Sequence, residues 1–152
     1  MNGTKIIGIA KGEIGYTETP ANSNKTKYGK WFGFDGVAWC GMFVSWCYAQ
    51  AGFSLGKIGF TKGFAGCQTA VAHFTKTGEL TKNPVEGDIV FFDWNGDGRY
   101  DHTGIFVRRL SNSTFESIEG NTSLVNDSNG GQVMIRTRGY KRCLFVHPKI
   151  LS

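Results

Sequence analysis

The sequence predicts an α+β domain in which helices come first and an antiparallel sheet follows. Apolar residues recur at helical spacing through the first half, and short runs rich in branched and aromatic residues replace them from about Asp88 onward. Turn residues separate those runs. This segregation is the pattern of a helical layer packed on one sheet. At 152 residues the chain is one domain, 1–152, long enough for a single core, with no internal repeat or linker.

The first helix spans Thr4 to Thr17, with its stripe at Ile6, Ile7, Ala10, Ile14 and Gly15, and Pro20 stops it. A short second helix through Tyr28 to Phe32 has Asn22, Ser23 or Asn24 available as its cap. The third runs from about Trp39 to Ala51. Its apolar face is Cys40, Phe43, Val44, Cys47, Tyr48 and Ala51, with Gly36 before it and Gly52 after it. A glycine-rich connector leads to a fourth helix over Cys67, Ala70, Val71 and Phe74, closed at Gly78. The expected strands are Asp88–Phe92, His102–Leu110, Thr114–Glu119, Gln132–Arg138 and Leu144–His147.

Charge and composition exclude several functions. The net charge is +5, which suits an anionic partner, but the densest basic cluster (Arg136, Arg138, Lys141, Arg142) is too sparse for a nucleic-acid site. No apolar run approaches the roughly 20 residues of a membrane span. The short run Ile6 to Ala10 is not a secretory signal core either. The four cysteines are not a disulfide framework. Cys40 and Cys47 are separated by a helical rise of about 10 Å, too far to bridge, whereas Cys67 and Cys143 are free to pair. No cysteine or histidine pair has zinc spacing.

Cys40 opens its helix, where the terminal amides and the helix dipole lower a thiol pKa and can hold an oxyanion. A nucleophile there needs a base and a group that orients the base. Among the three histidines, His73 lies about 240° around its helix from Cys67, and His147 precedes Pro148 near the end of the chain. His102 begins a strand. With a two-residue loop at Ser111-Asn112, Leu110 faces Ser113, Gly104 faces Glu119 and His102 faces Asn121, all on one strand face. A three-residue loop would send Glu119 to the other side. In the first register a carboxylate stands ready to stabilise imidazolium, and Gly104 leaves space for it.

These motifs occur in a fixed order: Trp39-Cys40, Phe43-Val44-Ser45-Trp46-Cys47, Pro84-x-x-Gly87-Asp88-Ile89-Val90-Phe91-Phe92, Asp101-His102-Thr103-Gly104-Ile105 and Glu119-Gly120-Asn121. Together they closely resemble the CHAP domain, the cysteine, histidine-dependent amidohydrolase/peptidase family. The likeness covers nearly the whole chain. It departs at Ala38, where many members carry proline. The resemblance implies a papain-like fold and hydrolysis of an amide bond in bacterial peptidoglycan, as amidase or as endopeptidase. It assigns Cys40 as nucleophile, His102 as general base and then acid, Glu119 as orienting residue and Asn121 as auxiliary. Tyr28 is a candidate extra oxyanion donor. A phage endolysin is the expected setting, held in the host cytoplasm until released to the wall and acting there as a monomer. Anionic wall polymers are further expected partners, nucleic acid and membrane are not.

The stretch Asp93-Trp94-Asn95-Gly96-Asp97-Gly98-Arg99-Tyr100-Asp101 matches the first nine positions of an EF-hand-type calcium loop. Asp93, Asn95 and Asp97 would supply side-chain oxygens, Arg99 its carbonyl, and Asp101 a direct or water-mediated contact. Position twelve is Gly104, so the usual glutamate is missing. Asn95-Gly96 and Asp97-Gly98 are equally strong hairpin-turn pairs. Two other readings compete with the hydrolase. An NlpC-type cysteine peptidase usually carries histidine as third residue, against which Glu119 argues. The other is a non-catalytic calcium-binding wall module in which Cys40 is core.

Overall fold

The computed structural model describes residues 2–152. Helices α1 (Asn2–Gly12), α2 (Lys27–Phe32), α3 (Cys40–Gln50) and α4 (Cys67–Thr77) precede strands β1 (Leu80–Thr81), β2 (Ile89–Phe92), β3 (His102–Arg109), β4 (Thr114–Thr122), β5 (Gln132–Gly139) and β6 (Cys143–Val146). A 3-10 turn at Lys149–Leu151 follows. The strands form one antiparallel sheet in the order β1-β6-β2-β3-β4-β5. This is the expected α+β, papain-like arrangement.

Two helices differ from their expected bounds. α1 ends at Gly12 rather than Thr17 because Gly15 takes a φ of 98° and its N–H bonds Val133 O at 2.9 Å. That turns Thr17 out to pair with Gln132. A stripe alone does not show where sheet pairing begins to compete. α2 is capped by Thr26, whose side chain accepts the Gly29 N–H at 3.0 Å. The expected caps Asn22 and Asn24 instead sit in left-handed turns, at φ 64° and 58°.

α3 lies at the centre of the molecule. Cys40 through Ser45, Cys47 and Tyr48 are all buried, so the helix is covered nearly all round rather than along one face. It packs on α1, α2, β3 and β4. Close approach depends on glycines: a Cβ on Gly120 would come within 2.9 Å of both Phe43 and Trp39. The main core gathers the helices with Ile89, Phe91, Ile105, Ile118 and Val133. The alternate residues Val90, Phe92, Phe106, Phe115 and Phe145 form a smaller second core, as strand periodicity requires.

The β3–β4 hairpin carries a compensated error in the expected register. Arg109 pairs with Phe115, and the Leu110 N–H bonds Thr114 O at 3.0 Å, so Ser111–Ser113 form a three-residue loop. A bulge between Phe106 and Arg108 then inserts one residue into β3 and restores Ile105 opposite Ile118. Continued along the strands, that register sets Gly104 beside Glu119.

Candidate active site

The Cys40 side chain stands in the first turn of α3, which no side-chain cap occupies. Gly41 follows it because a Cβ there would meet Ala65 O at 2.7 Å and the Phe64 ring at 2.9 Å. Ser45 fastens the same segment, donating to Gly41 O at 2.9 Å and accepting the Phe64 N–H at 3.1 Å. This close approach brings Cys67, the first residue of α4, to Cys40. All four cysteines are free, so Cys67 does not pair with Cys143. The neighbouring Cys67 thiol is the leading cause that holds Cys40 well below the ordinary thiol pKa. Burial opposes the shift, while the His102 charge and hydrogen bond and the Thr103 N–H reinforce it. Cys67 is pushed well above the ordinary value by the Cys40 sulfur beside it and by burial. Cys40 is the partner that ionises because the imidazole and the amide stand on its side.

His102 is fully buried. Its ring stacks beside Phe92 at 6.0 Å and Trp94 at 5.7 Å between centroids. Nε2 stands 3.1 Å from Glu119 Oε1, off the line of a straight hydrogen bond, so neither ring nitrogen has a well-directed partner. That leaves Nδ1 for Cys40. Loose hydrogen bonds of this kind are usual in catalytic sites without substrate. Burial works against the charged ring, yet the Cys40 charge and hydrogen bond, with those of Glu119, raise His102 to about 9. The combination favours a thiolate–imidazolium pair at neutral pH.

Glu119 is also fully buried. Burial would raise its pKa, but Arg138 and then His102 outweigh that and hold it at about 2. Gly104 is the space on which the arrangement depends: a Cβ there would lie 2.6 Å from Glu119 Cγ. Asn121 is buried and left-handed at φ 58°. Its side-chain amide donates to Asn129 Oδ1 and accepts the Gly131 N–H, both at 3.0 Å. The amide therefore holds the 123–131 loop rather than His102, which corrects the expected pairing.

Tyr28 is not an oxyanion donor. Its buried hydroxyl donates to Glu13 Oε1 at 2.7 Å, and burial with that bond raises its pKa. The other histidines stand apart from Cys40 as expected. His73 packs edge-on against Phe74. His147 bonds the buried Asp88 carboxylate at 2.6 Å and ties the last strand to the start of β2.

Two residues of the site escaped sequence reasoning. Cys67 opens α4 after Gly66 as Cys40 opens α3, and that parallel is its only local signal. Arg138 reads in the sequence as part of a surface basic cluster, yet its side chain is 9 % exposed and bound to Glu119.

The Asp93–Asp101 loop is folded around its own carboxylates. Asp93 accepts the Asp97 and Gly98 N–H groups at 3.2 and 2.9 Å, Asp97 accepts Arg99 N–H at 2.9 Å, and Asp101 accepts Trp94 N–H at 3.1 Å. Among the described residues no three His, Cys, Asp or Glu side chains converge as metal ligands. Asn95 supplies what the carboxylates lack. With its nitrogen turned inward, it donates to Asp97 Oδ1 at 3.0 Å and Asp93 Oδ1 at 3.2 Å. With its oxygen inward, that atom would stand 3.0 Å from Asp97 Oδ1 and 3.2 Å from Asp93 Oδ1, a spacing that neighbouring ligands of one calcium ion can have. Asp93, Asn95 and Asp97 are thus a donor set of the oxygen type that calcium takes, and the Asp93 and Asp97 carboxylates, like that of Asp101, are engaged by backbone N–H groups.

No helix among the described residues is long and apolar enough to cross a membrane. No curated protein matches the chain. The sequence family described as CHAP domain matches residues 31–121, more than half of the chain and a span that contains Cys40, His102, Glu119 and Asn121. The chain therefore belongs to the CHAP domain family, and with it to the amidases and peptidases directed at peptidoglycan.

Proposed function

We propose that this protein cleaves an amide bond of peptidoglycan by a Cys40–His102–Glu119 mechanism. The observation that supports it most is the buried imidazole between a thiol of lowered pKa and an ionised carboxylate. The Cys40 thiolate attacks the carbonyl carbon, and the free amides at the start of α3 receive the oxyanion. Imidazolium His102 then protonates the leaving amine, and as neutral imidazole it takes a proton from the water that hydrolyses the thioester. Glu119 keeps the ring oriented and stabilises its charged form. The family resemblance extends this reading to a phage lysin acting on the wall after release from the host cytoplasm.

Cys40→Ala and His102→Ala should each abolish clearing of purified cell walls while circular dichroism stays that of the folded protein. Wild-type clearing by folded Cys40→Ala would sink the assignment. Mass analysis of the digested walls identifies the bond, an amide between sugar and stem peptide or one within the stem or cross-bridge.

We also propose that Asp93, Asn95, Asp97 and the Arg99 carbonyl hold Ca²⁺, with Asp101 closing the loop. The ion's contribution is structural. It fixes the segment that runs from Trp94 into His102. A chelator should lower the melting temperature and added calcium restore it, with Asp93→Asn indifferent to both. An unchanged melting temperature in chelator counts against the site.

A further inference from the structure

We infer that Arg138 is a positioning residue of the reaction, fixing Glu119 so that Oε1 is held beside His102 Nε2. The inference rests on the Cys40–His102–Glu119 reading and adds a fourth residue, from β5. Arg138 Nη2 donates to Glu119 Oε1 at 2.6 Å and Nε to Oε2 at 2.9 Å, a fork that leaves the carboxylate one orientation. The Ser117 hydroxyl also donates to Oε2. Nothing else about the guanidinium is loose. It lies 4.8 Å from the Trp94 ring centroid and 5.4 Å from that of Phe92, the two rings that stack beside His102. On the solvent side Nη1 bonds Asp127 Oδ1 at 3.0 Å, and Arg136 bonds the same oxygen at 2.9 Å.

The order of contacts is therefore Asp127, Arg138, Glu119, His102, Cys40, running from a half-exposed loop residue to the nucleophile. A lysine at 138 would keep the charge and lose the fork. With one point donor instead of two, the carboxylate is free to rotate about its last bond. The imidazole then loses its fixed partner, and with it the geometry for taking and giving the proton. A purely structural arginine behaves differently, because its loss lowers stability and leaves the reactivity of Cys40 in the folded protein unchanged.

The test is a double-mutant cycle of Arg138→Lys with Glu119→Gln. It is read as the rate of Cys40 alkylation by iodoacetamide at neutral pH, with the modified peptide quantified by mass spectrometry. Arg138→Lys alone should slow alkylation about tenfold, and should slow it no further once Glu119 is glutamine. In the wall-clearing assay the same variant should lose kcat with KM unchanged. Arg108→Lys, on an exposed pair with Glu116, serves as control. Wild-type alkylation by folded Arg138→Lys overturns the inference, and so do losses that multiply in the double variant. Should Arg138→Lys not fold, Asp127→Asn replaces it in the cycle: slowing that vanishes with Glu119→Gln supports the inference, and no slowing overturns it. Alkylation needs no wall substrate. A wild type that clears no walls but shows the coupling refutes the proposed function and leaves the role of Arg138 standing.

Discussion

Cys40 shows how little of a reactive group's character belongs to the residue itself. The sequence supplies a thiol at a helix start, and the fold adds the neighbouring Cys67 thiol, the His102 charge and the Thr103 N–H. Burial alone would make it inert. The sign of the pH response follows from His102. Its pKa is raised to about 9, so imidazolium is present below that value and lost above it. kcat/KM for wall hydrolysis should therefore fall as pH rises through about 9, since neutral imidazole cannot protonate the leaving amine. A rate still climbing well above that pH would refute the role of His102 as acid. Glu119→Gln should bring the fall to lower pH by removing one of the charges that raises His102.

At the scale of elements, the β3–β4 hairpin shows two departures that cancel. A three-residue loop by itself would turn Glu119 away from His102, and the bulge before Arg108 turns it back. Local turn propensity does not reveal such a pair, because a bulge is selected by packing along the whole strand. Gly104 is the corresponding weak point. Gly104→Ala places a Cβ 2.6 Å from Glu119 Cγ and 3.1 Å from Ile118 O. It should cost about 1–3 kcal/mol in urea unfolding, as overpacking does, and should lower kcat more than tenfold. A fully active Gly104→Ala protein would show that the strands separate without consequence. α3 makes the complementary point. Its sequence has residues of low polarity on every side, and it lies where every side is covered.

Across the whole molecule, the sheet separates two cores, one under the helices and one on its other face. The buried charges cross between them and couple folding to pH. Glu119 lies at about 2 in the folded protein against an ordinary 4.5, so its stabilisation is complete above about 4.5 and is lost as pH falls toward 2. His102 lies at about 9 against 6.5, so its stabilisation is complete below about 6.5 and is lost as pH rises through 9. Cys40, held well below the ordinary thiol value, has the opposite sign to His102 and offsets its loss, so the melting temperature should fall chiefly on the acid side, as Glu119 is protonated. In Glu119→Gln the decline on the acid side should become shallower. An unchanged acid slope in that variant would place the acid sensitivity elsewhere.

The sequence by itself determined the α+β class, the start of α3 at Cys40, the strand at His102 and the order of motifs that marks the family. Those features are legible because period, turn residues and helix boundaries are local properties of the chain. The tertiary structure alone decided that Cys67 meets Cys40, that Arg138 turns inward onto Glu119, that Tyr28 is committed to Glu13, and that Asn121 holds its loop. Each joins residues from separate elements or loops, and which partner a polar side chain finds depends on closure of the whole sheet around α3. Once buried, such a group must be satisfied by whatever donor or charge the packing brings near. Arg138 is the clearest case, a surface charge by composition that burial makes part of the site.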